Sequence, residues 1–446
     1  MTLRLEEATP PGMVRSRAQC DADTAGPSVT STPRGRILCL TSNFPRWPGD
    51  STTPFVLHLA QDMQELGWDV DVVAPHAPGA ARNEVMDGIA VERFRYLWPT
   101  SSQTVCYEGG AIGNLRRRPS NYLKLPALVA AETAAVVARV RRRHYDIVHS
   151  HWLLPQGFAG GIASTLGGVP QVTTVHGSDV LALRARWLRP FKRSALRRSA
   201  LITVNSSITE AAVRHIEGFT TPVVRIPMGV DTTKIDSDAR IVRELRSRYR
   251  RGDGPLVVFV GRVVEEKGVS DLIDAVELLL PELPNTSAVI VGDGSAKSNL
   301  ERSVTARSLG EHIKFAGWVD SHHVPNYLRA ADVFVGPSRM SASGGREAQG
   351  LTFLEAMASE TPVVATRSGG IVDFIADGET GLLVSEASPR EIAQTVRRLV
   401  HSPHFAQGLA AAGRQRVVDG FSRQATAAAF DRQFTSLRSS RRHWHQ

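Results

Sequence analysis

A chain of 446 residues is too long for one compact core, so two or three domains are expected. Its 42% hydrophobic and 22% charged residues are ordinary for a globular protein, and no run approaches the roughly 18 apolar residues of a membrane span. A net charge of +9 favours phosphate-bearing or membrane-surface partners; no zinc finger, basic zipper or RNA-binding aromatic signature accompanies it, which argues against nucleic acid.

Residues 1–34 are rich in Pro, Ser, Thr and Ala, lack the apolar core of a signal peptide and read as a disordered tail. The scattered Cys20, Cys39 and Cys106 form no metal-ligand spacing and suit a reducing, cytoplasmic compartment. Residues 35–230 follow as a first domain. Strands are expected at 36–41, 70–73, 146–149, 172–175 and 201–204, with helical patterns between them, for instance at 55–66 and 125–143. Alternation of this kind implies a parallel sheet with helices on both faces. The polar stretch from Asp231 to Asp253 suggests a linker, placed near 228–235. A second domain, 231–420, starts afresh with strands at 256–260, 288–291, 313–315, 333–335 and 363–365. A helix over 421–438 and a basic tail over 439–446 end the chain. Ligands of such sheets bind beyond the carboxyl ends of the strands, so two domains facing each other would enclose a deep cleft.

In the first domain, Asp69 and Asp71 imitate a metal-binding carboxylate pair, but they alternate with apolar residues at a strand start, and a structural role is expected. His149 and His151 occupy alternate positions of a strand end, read as one on each face. No third ligand stands near, so zinc is not expected, and His151 either lines the cleft or serves the fold. His176 follows the strand at 172–175 and precedes Gly177-Ser178-Asp179, on the cleft rim. A histidine there can contact a donor sugar or a departing oxygen, and Asp179 joins His151 as an acceptor-side candidate. The run from Arg184 to Arg198 has seven basic residues and no acid, with Trp187, Leu188, Phe191 and Ala195 expected on one face. It either docks on an anionic membrane surface or forms a solvated face over the core. From Arg36 to Arg225 there are 22 Lys and Arg against 14 Asp and Glu, so most of the excess charge lies in this half.

In the second domain, Gly261-Arg262 and Lys267-Gly268 directly follow a buried strand. Arg262 at the strand end and Lys267 at a helix entry can clamp a diphosphate, the one as a planar fork and the other as a point charge. Downstream, Glu347 and Glu355 flank a loop that enters a helix through Gly350, Leu351 and Thr352. Unpaired amides at a helix start make an anion site. A carboxylate before that site and another one turn into the helix can hold a sugar and a ribose on either side of a diphosphate. A glycosidase pair is the competing reading of two carboxylates; the phosphate-type loop between them argues against it.

With these residues assembled, the chain resembles the family 4 retaining glycosyltransferases of the GT-B fold, over about 36–434. The resemblance rests on Gly261-Arg262 with Lys267-Gly268, Val291-Gly292-Asp293-Gly294, Pro337-Ser338, and the stretch from Glu347 to Gly370. It implies an α/β protein of two Rossmann-like, doubly wound domains facing across a cleft. It also implies transfer of a sugar from a UDP- or GDP-sugar to a hydroxyl acceptor with retention. The nucleotide-sugar is a co-substrate, and no metal or cofactor is expected. By the same resemblance, Arg262 and Lys267 form the diphosphate clamp and Glu347 contacts donor-sugar hydroxyls. Amides around Gly350, Leu351 and Thr352 hold the distal phosphate, Glu355 binds the ribose, and His176 lies beside the donor sugar. The base falls near Trp318 and Val319, with Gly261, Gly292 and Ser338 also on the donor side. Many members carry paired glycines after the first strand; this chain has a single one, Gly49, between Pro45 and Thr53. The hydroxyl acceptor is either lipid-linked or free, and a noncatalytic nucleotide-sugar-binding protein of the same fold is the alternative. Peripheral attachment at the inner face of the cell membrane is the expected location.

Overall fold

The computed structural model describes residues 34–50, 54–107, 110–183, 185–233, 237–341 and 344–443. The expected N-terminal tail other than Arg34, residue Arg184 and the end of the basic tail lie outside them.

The first sheet has eight strands. They are β1 (Gly35–Leu40), β2 (Trp68–Pro75), β3 (Asn83–Met86), β4 (Ile89–Phe94), β5 (Ile147–His151), β6 (Gln171–Val175), β7 (Leu201–Val204) and β8 (Val223–Arg225). Their order is β3-β4-β2-β1-β5-β6-β7-β8, parallel except for the β3–β4 hairpin. Every residue of β5, β6 and β7 is buried, as expected of central parallel strands covered on both faces. The hairpin turns at Asp87-Gly88, both at positive φ, a two-residue signal that the sequence carried but that was not read as strands.

The second sheet has six strands: β9 (Leu256–Val260), β10 (Ser287–Val291), β11 (Ile313–Gly317), β12 (Val333–Gly336), β13 (Val363–Thr366) and β14 (Leu382–Val384). Their order is β11-β10-β9-β12-β13-β14, all parallel. Strand order reverses at β1, between β2 and β5, and again at β9, between β10 and β12. Loops leave such a point toward opposite faces and open a crevice at the carboxyl ends of the strands.

The expected linker is shorter than its polar composition suggested. Much of 231–253 is the helix Ala239–Tyr249, capped by Asp238, with Leu245 packed into the second-lobe core. The crossing itself is a pair of adjacent segments. Val230 donates to the Phe421 carbonyl at 2.9 Å, and Arg423 donates back to the Val230 carbonyl at 3.0 Å. The helix Arg423–His443 then returns to the first lobe, burying Phe430 and Phe434 in a core shared with β1, β2 and the helix Pro54–Glu65. Asp69 and Asp71 are absorbed by the fold. Arg36 and Arg143 pair with them at 2.6 and 2.7 Å, and the Tyr145 hydroxyl donates to Asp71 at 2.5 Å.

Candidate active site

The residues expected on the donor side come together around the β9/β12 switch point. Gly261 directly follows β9, Arg262 comes next, and a single 3-10 turn, Glu265–Lys267, carries Lys267. Gly268 closes that turn at φ +65, with the Pro337 carbonyl where a side chain would start; a Cβ would lie 1.9 Å from its oxygen. Only glycine lets the Arg262–Gly268 loop lie this close to the Pro337-Ser338 segment after β12. Gly292 stands at the end of β10 and donates to the Gly317 carbonyl at 2.7 Å; Trp318 and Val319 follow β11, with the Trp318 indole open to solvent. Ser338 is buried beneath Glu347, to which its hydroxyl lies within 3.5 Å.

Lys267 and Glu347, 80 residues apart, form an ion pair, with side chains 17% and 13% exposed. Arg262 is 65% exposed, with Glu266 at 3.7 Å, and is free to swing toward an incoming anion. The helix Leu351–Ala358 begins after Gly350 at φ +89. It has no side-chain cap and no acid in its first turn. Its first amides are therefore available to an anion, and no carboxylate of its own first turn opposes one. Glu355 lies one turn further on, partly buried, and among the described residues none donates to its carboxylate. Burial pushes this carboxyl up to about 7.

The first-lobe residues are arranged differently from the sequence expectation. His149 and His151 lie on the same face of β5, not on opposite faces, with ring centroids 4.3 Å apart. Alternate residues of a strand share a face, so strand geometry alone puts the two histidines together. His151 sits behind His176 rather than on the cleft surface. Its Nδ1 is 3.0 Å from His176 Nε2, and the two rings are stacked at 8°. That contact occupies Nε2 of His176, so Nδ1 is its remaining ring nitrogen. Phe55 and Trp152 pack around His176, and Phe430 and Phe434 of the returning helix cover His149. Burial drives the His149 and His176 imidazoles down to about 3, and it also lowers His151, so the cluster is neutral at physiological pH. Asp179 is turned inward as well. Its carboxylate accepts from the Leu153 amide at 2.6 Å and the Gly177 amide at 3.1 Å, tying two rim loops together.

The lobes meet at this site. Gly177, at φ +101, faces Ala348, and a Cβ there would lie 2.4 Å from the alanine methyl. His176 is thereby held against the loop that carries Glu347. The Ser207 amide donates to Asp373 of the second lobe at 2.6 Å, and Arg225 approaches the same carboxylate at 4.0 Å.

Two family models match the chain. One, described as Glycosyl transferases group 1, covers residues 242–416, and the other, Glycosyltransferase Family 4, covers 53–234. The GDP-mannose-dependent alpha-(1-6)-phosphatidylinositol monomannoside mannosyltransferase of Mycolicibacterium smegmatis is 31% identical over 293 residues, 64% of this chain and 75% of that one. This chain belongs to glycosyltransferase family 4. The 2-deoxystreptamine glucosyltransferase of Streptomyces kanamyceticus is 30% identical over 82% of this chain and 94% of its own length. Among solved structures, sucrose-phosphate synthase from Thermosynechococcus elongatus superposes with a TM-score of 0.75 over 91% of this chain and all of that one, at 23% identity. The fold of this glycosyltransferase is therefore GT-B, two parallel α/β lobes around a cleft.

Gln349 and Asp373 were not singled out in the sequence of this glycosyltransferase. Each acts through a partner more than a hundred residues away, and no local pattern marks such a contact. The basic run also differs from expectation. A 3-10 turn, Arg186–Leu188, leads into the helix Arg189–Arg198; Ala195 is core, and Lys192 turns inward to the Leu183 carbonyl at 2.5 Å. Trp187 and Phe191 stay 60% and 45% exposed among outward arginines.

Proposed function

We propose that this glycosyltransferase moves a hexosyl group, such as mannosyl, from a nucleoside diphosphate sugar to a hydroxyl acceptor, with retention and without a metal ion or other cofactor. One observation carries the reading. The Lys267–Glu347 pair and the uncapped helix start at Leu351 share one rim, and the His176-Gly177 turn presses on the loop between them. A diphosphate seated on the Leu351 and Thr352 amides draws Lys267 and Arg262 onto its oxygens. Released from Lys267, Glu347 accepts from donor-sugar hydroxyls, while Glu355 accepts from the ribose. As the bond from the anomeric carbon to the diphosphate oxygen breaks, its electron pair goes to that oxygen. The cations and amides already aimed there stabilise the charge. The acceptor oxygen attacks from the same face, and its proton passes to the departing diphosphate. The neutral His176 offers a hydrogen bond to the sugar without adding positive charge beside a developing cation. The two relatives' names support hexosyl transfer, and one names GDP-mannose.

Thermal stabilisation by a panel of UDP-, GDP- and ADP-sugars tests the donor, since a ligand at a hundredfold its dissociation constant adds about 2.7 kcal/mol. Product analysis with alcohol acceptors then tests transfer and the anomeric configuration. Stabilisation by none of the donors overturns the reading, and binding without transfer to any acceptor favours a noncatalytic sugar-nucleotide sensor.

We further propose that the acceptor lies at the cytoplasmic membrane face, as a lipid-linked or membrane-associated glycan of the cell envelope. Among the described residues no helix is long and apolar enough to cross a membrane, and the contact proposed is a peripheral one. Trp187 and Phe191 stand among Arg186, Arg189 and Arg193 at the start of a helix, hence at the cleft end of the first lobe. The segment before the helix Leu125–Arg142 adds Trp98, Tyr122 and Leu123, all exposed, with Arg116 and Arg118. Each basic residue near an anionic surface contributes about 1 kcal/mol, and screening weakens the contact. The protein should co-sediment with anionic vesicles at low salt, detach as salt rises and ignore neutral vesicles. Equal indifference to both vesicle types would return the acceptor to solution.

A further inference from the structure

We infer that Gln349 is a positioning residue that couples the donor loop to the interlobe hinge, so that seating the donor and closing the lobes become one event. The inference rests on the proposed phosphate site at Leu351 and Thr352. Gln349 is buried, and its amide is committed twice to one residue. Oε1 accepts from the Met228 amide at 3.0 Å, and Nε2 donates to the Met228 carbonyl at 2.6 Å. Met228 belongs to the first-lobe core and immediately precedes the crossing. Around it, the Pro227 carbonyl accepts from Thr426 at 2.8 Å, and Val230 is paired with Phe421 and Arg423. Gly229 lies so close to the second crossing that a Cβ would meet the Ser422 carbonyl oxygen at 2.2 Å. The two crossings between the lobes lie side by side here, and the Gln349 side chain holds the residue that leads into them.

The neighbours of Gln349 show why the grip matters. Glu347 holds Lys267, Ala348 faces Gly177, and Leu351 packs against both lobe cores. Five consecutive positions thus touch the clamp, the first-lobe rim, the hinge and the helix start in turn. A buried amide bound at both ends has one orientation, and breaking either bond strands a buried polar group. The loop cannot shift to receive a diphosphate without carrying Met228 with it, and hinges of this kind absorb motion at a few backbone positions.

The test compares wild type with Gln349→Leu, which fills the space without either bond, and Gln349→Glu, which keeps the acceptor and loses the donor. Three quantities are read on the full chain: UDP and GDP affinity by calorimetry, the radius of gyration with saturating nucleotide by X-ray scattering, and kcat and KM. Both variants should bind nucleotide within about threefold of wild type. They should stay expanded where wild type compacts, and lose at least tenfold in kcat with a smaller change in KM. If only one variant folds, it is read by the same criteria. Normal compaction and kcat in a folded variant overturn the coupling, as does a loss of nucleotide affinity that matches the loss of kcat. If wild type binds neither UDP nor GDP, the functional reading falls first and takes the coupling with it.

Discussion

Replacing Lys267 with alanine should lower turnover more than a hundredfold while leaving the chain folded. Two losses combine. The ammonium no longer meets the charge that develops on the departing diphosphate, a contribution of about 3 kcal/mol or more for a preorganised group in a water-poor site. Glu347 also loses its cation, and an uncompensated carboxylate next to the proposed phosphate site should repel the donor. Arg262→Ala should be similarly slow for the first reason alone, since its side chain is largely exposed and leaves no buried charge behind. Initial rates with the best stabilising donor decide the matter, with thermal unfolding to confirm that each variant is folded. Turnover near wild type in Lys267→Ala would remove the clamp from the mechanism.

The two glutamates should separate cleanly. Glu355→Gln should raise the dissociation constant of the free nucleoside diphosphate, with a smaller effect on the chemical step, because the ribose is bound equally before and during the reaction. Glu347→Ala should spare the free nucleotide and weaken donor-sugar binding and turnover. pH adds a second signature. The Glu355 carboxyl stands near 7 in the free protein because burial disfavours its charged form. It ionises as pH rises through that value, and the carboxylate is the better acceptor for ribose hydroxyls. Nucleotide affinity should therefore climb between about pH 6 and 8 in wild type. The terminal phosphate of the ligand also titrates there, so the informative quantity is the difference between wild type and Glu355→Gln, in which the Glu355 share is gone. Calorimetric titration of both variants with nucleotide and with donor, at two pH values, measures all of this. Equal losses on both ligands in both variants would end the division of labour.

The second-lobe half of this site was legible in the sequence because its parts are local. A buried strand followed by Gly261-Arg262 and Lys267-Gly268, and a strand followed by a loop, Gly350 and a helix, are short patterns. Their geometry is set by backbone preferences within a dozen residues. Parallel-sheet alternation likewise showed that all those loops leave from one rim. The edge strands β8 and β14, three residues each, are too short to stand out in the sequence, whereas the β3–β4 hairpin carries a local signal in its Asp87-Gly88 turn.

Sequence alone thus determined the family resemblance, the two wound lobes and the residues at the head of each second-lobe loop. Tertiary structure decided how those residues are used. It paired Lys267 with Glu347 and turned Asp179 and His151 inward. It buried Lys192 while leaving Trp187 outside, and it set Gln349 on Met228, 121 residues away. The physical reason is the range of the interactions. Backbone periodicity and turn chemistry act between near neighbours. The partner of a buried amide or carboxylate is chosen by how two sheets and the helix that returns across them pack together, and no spacing along the chain encodes it.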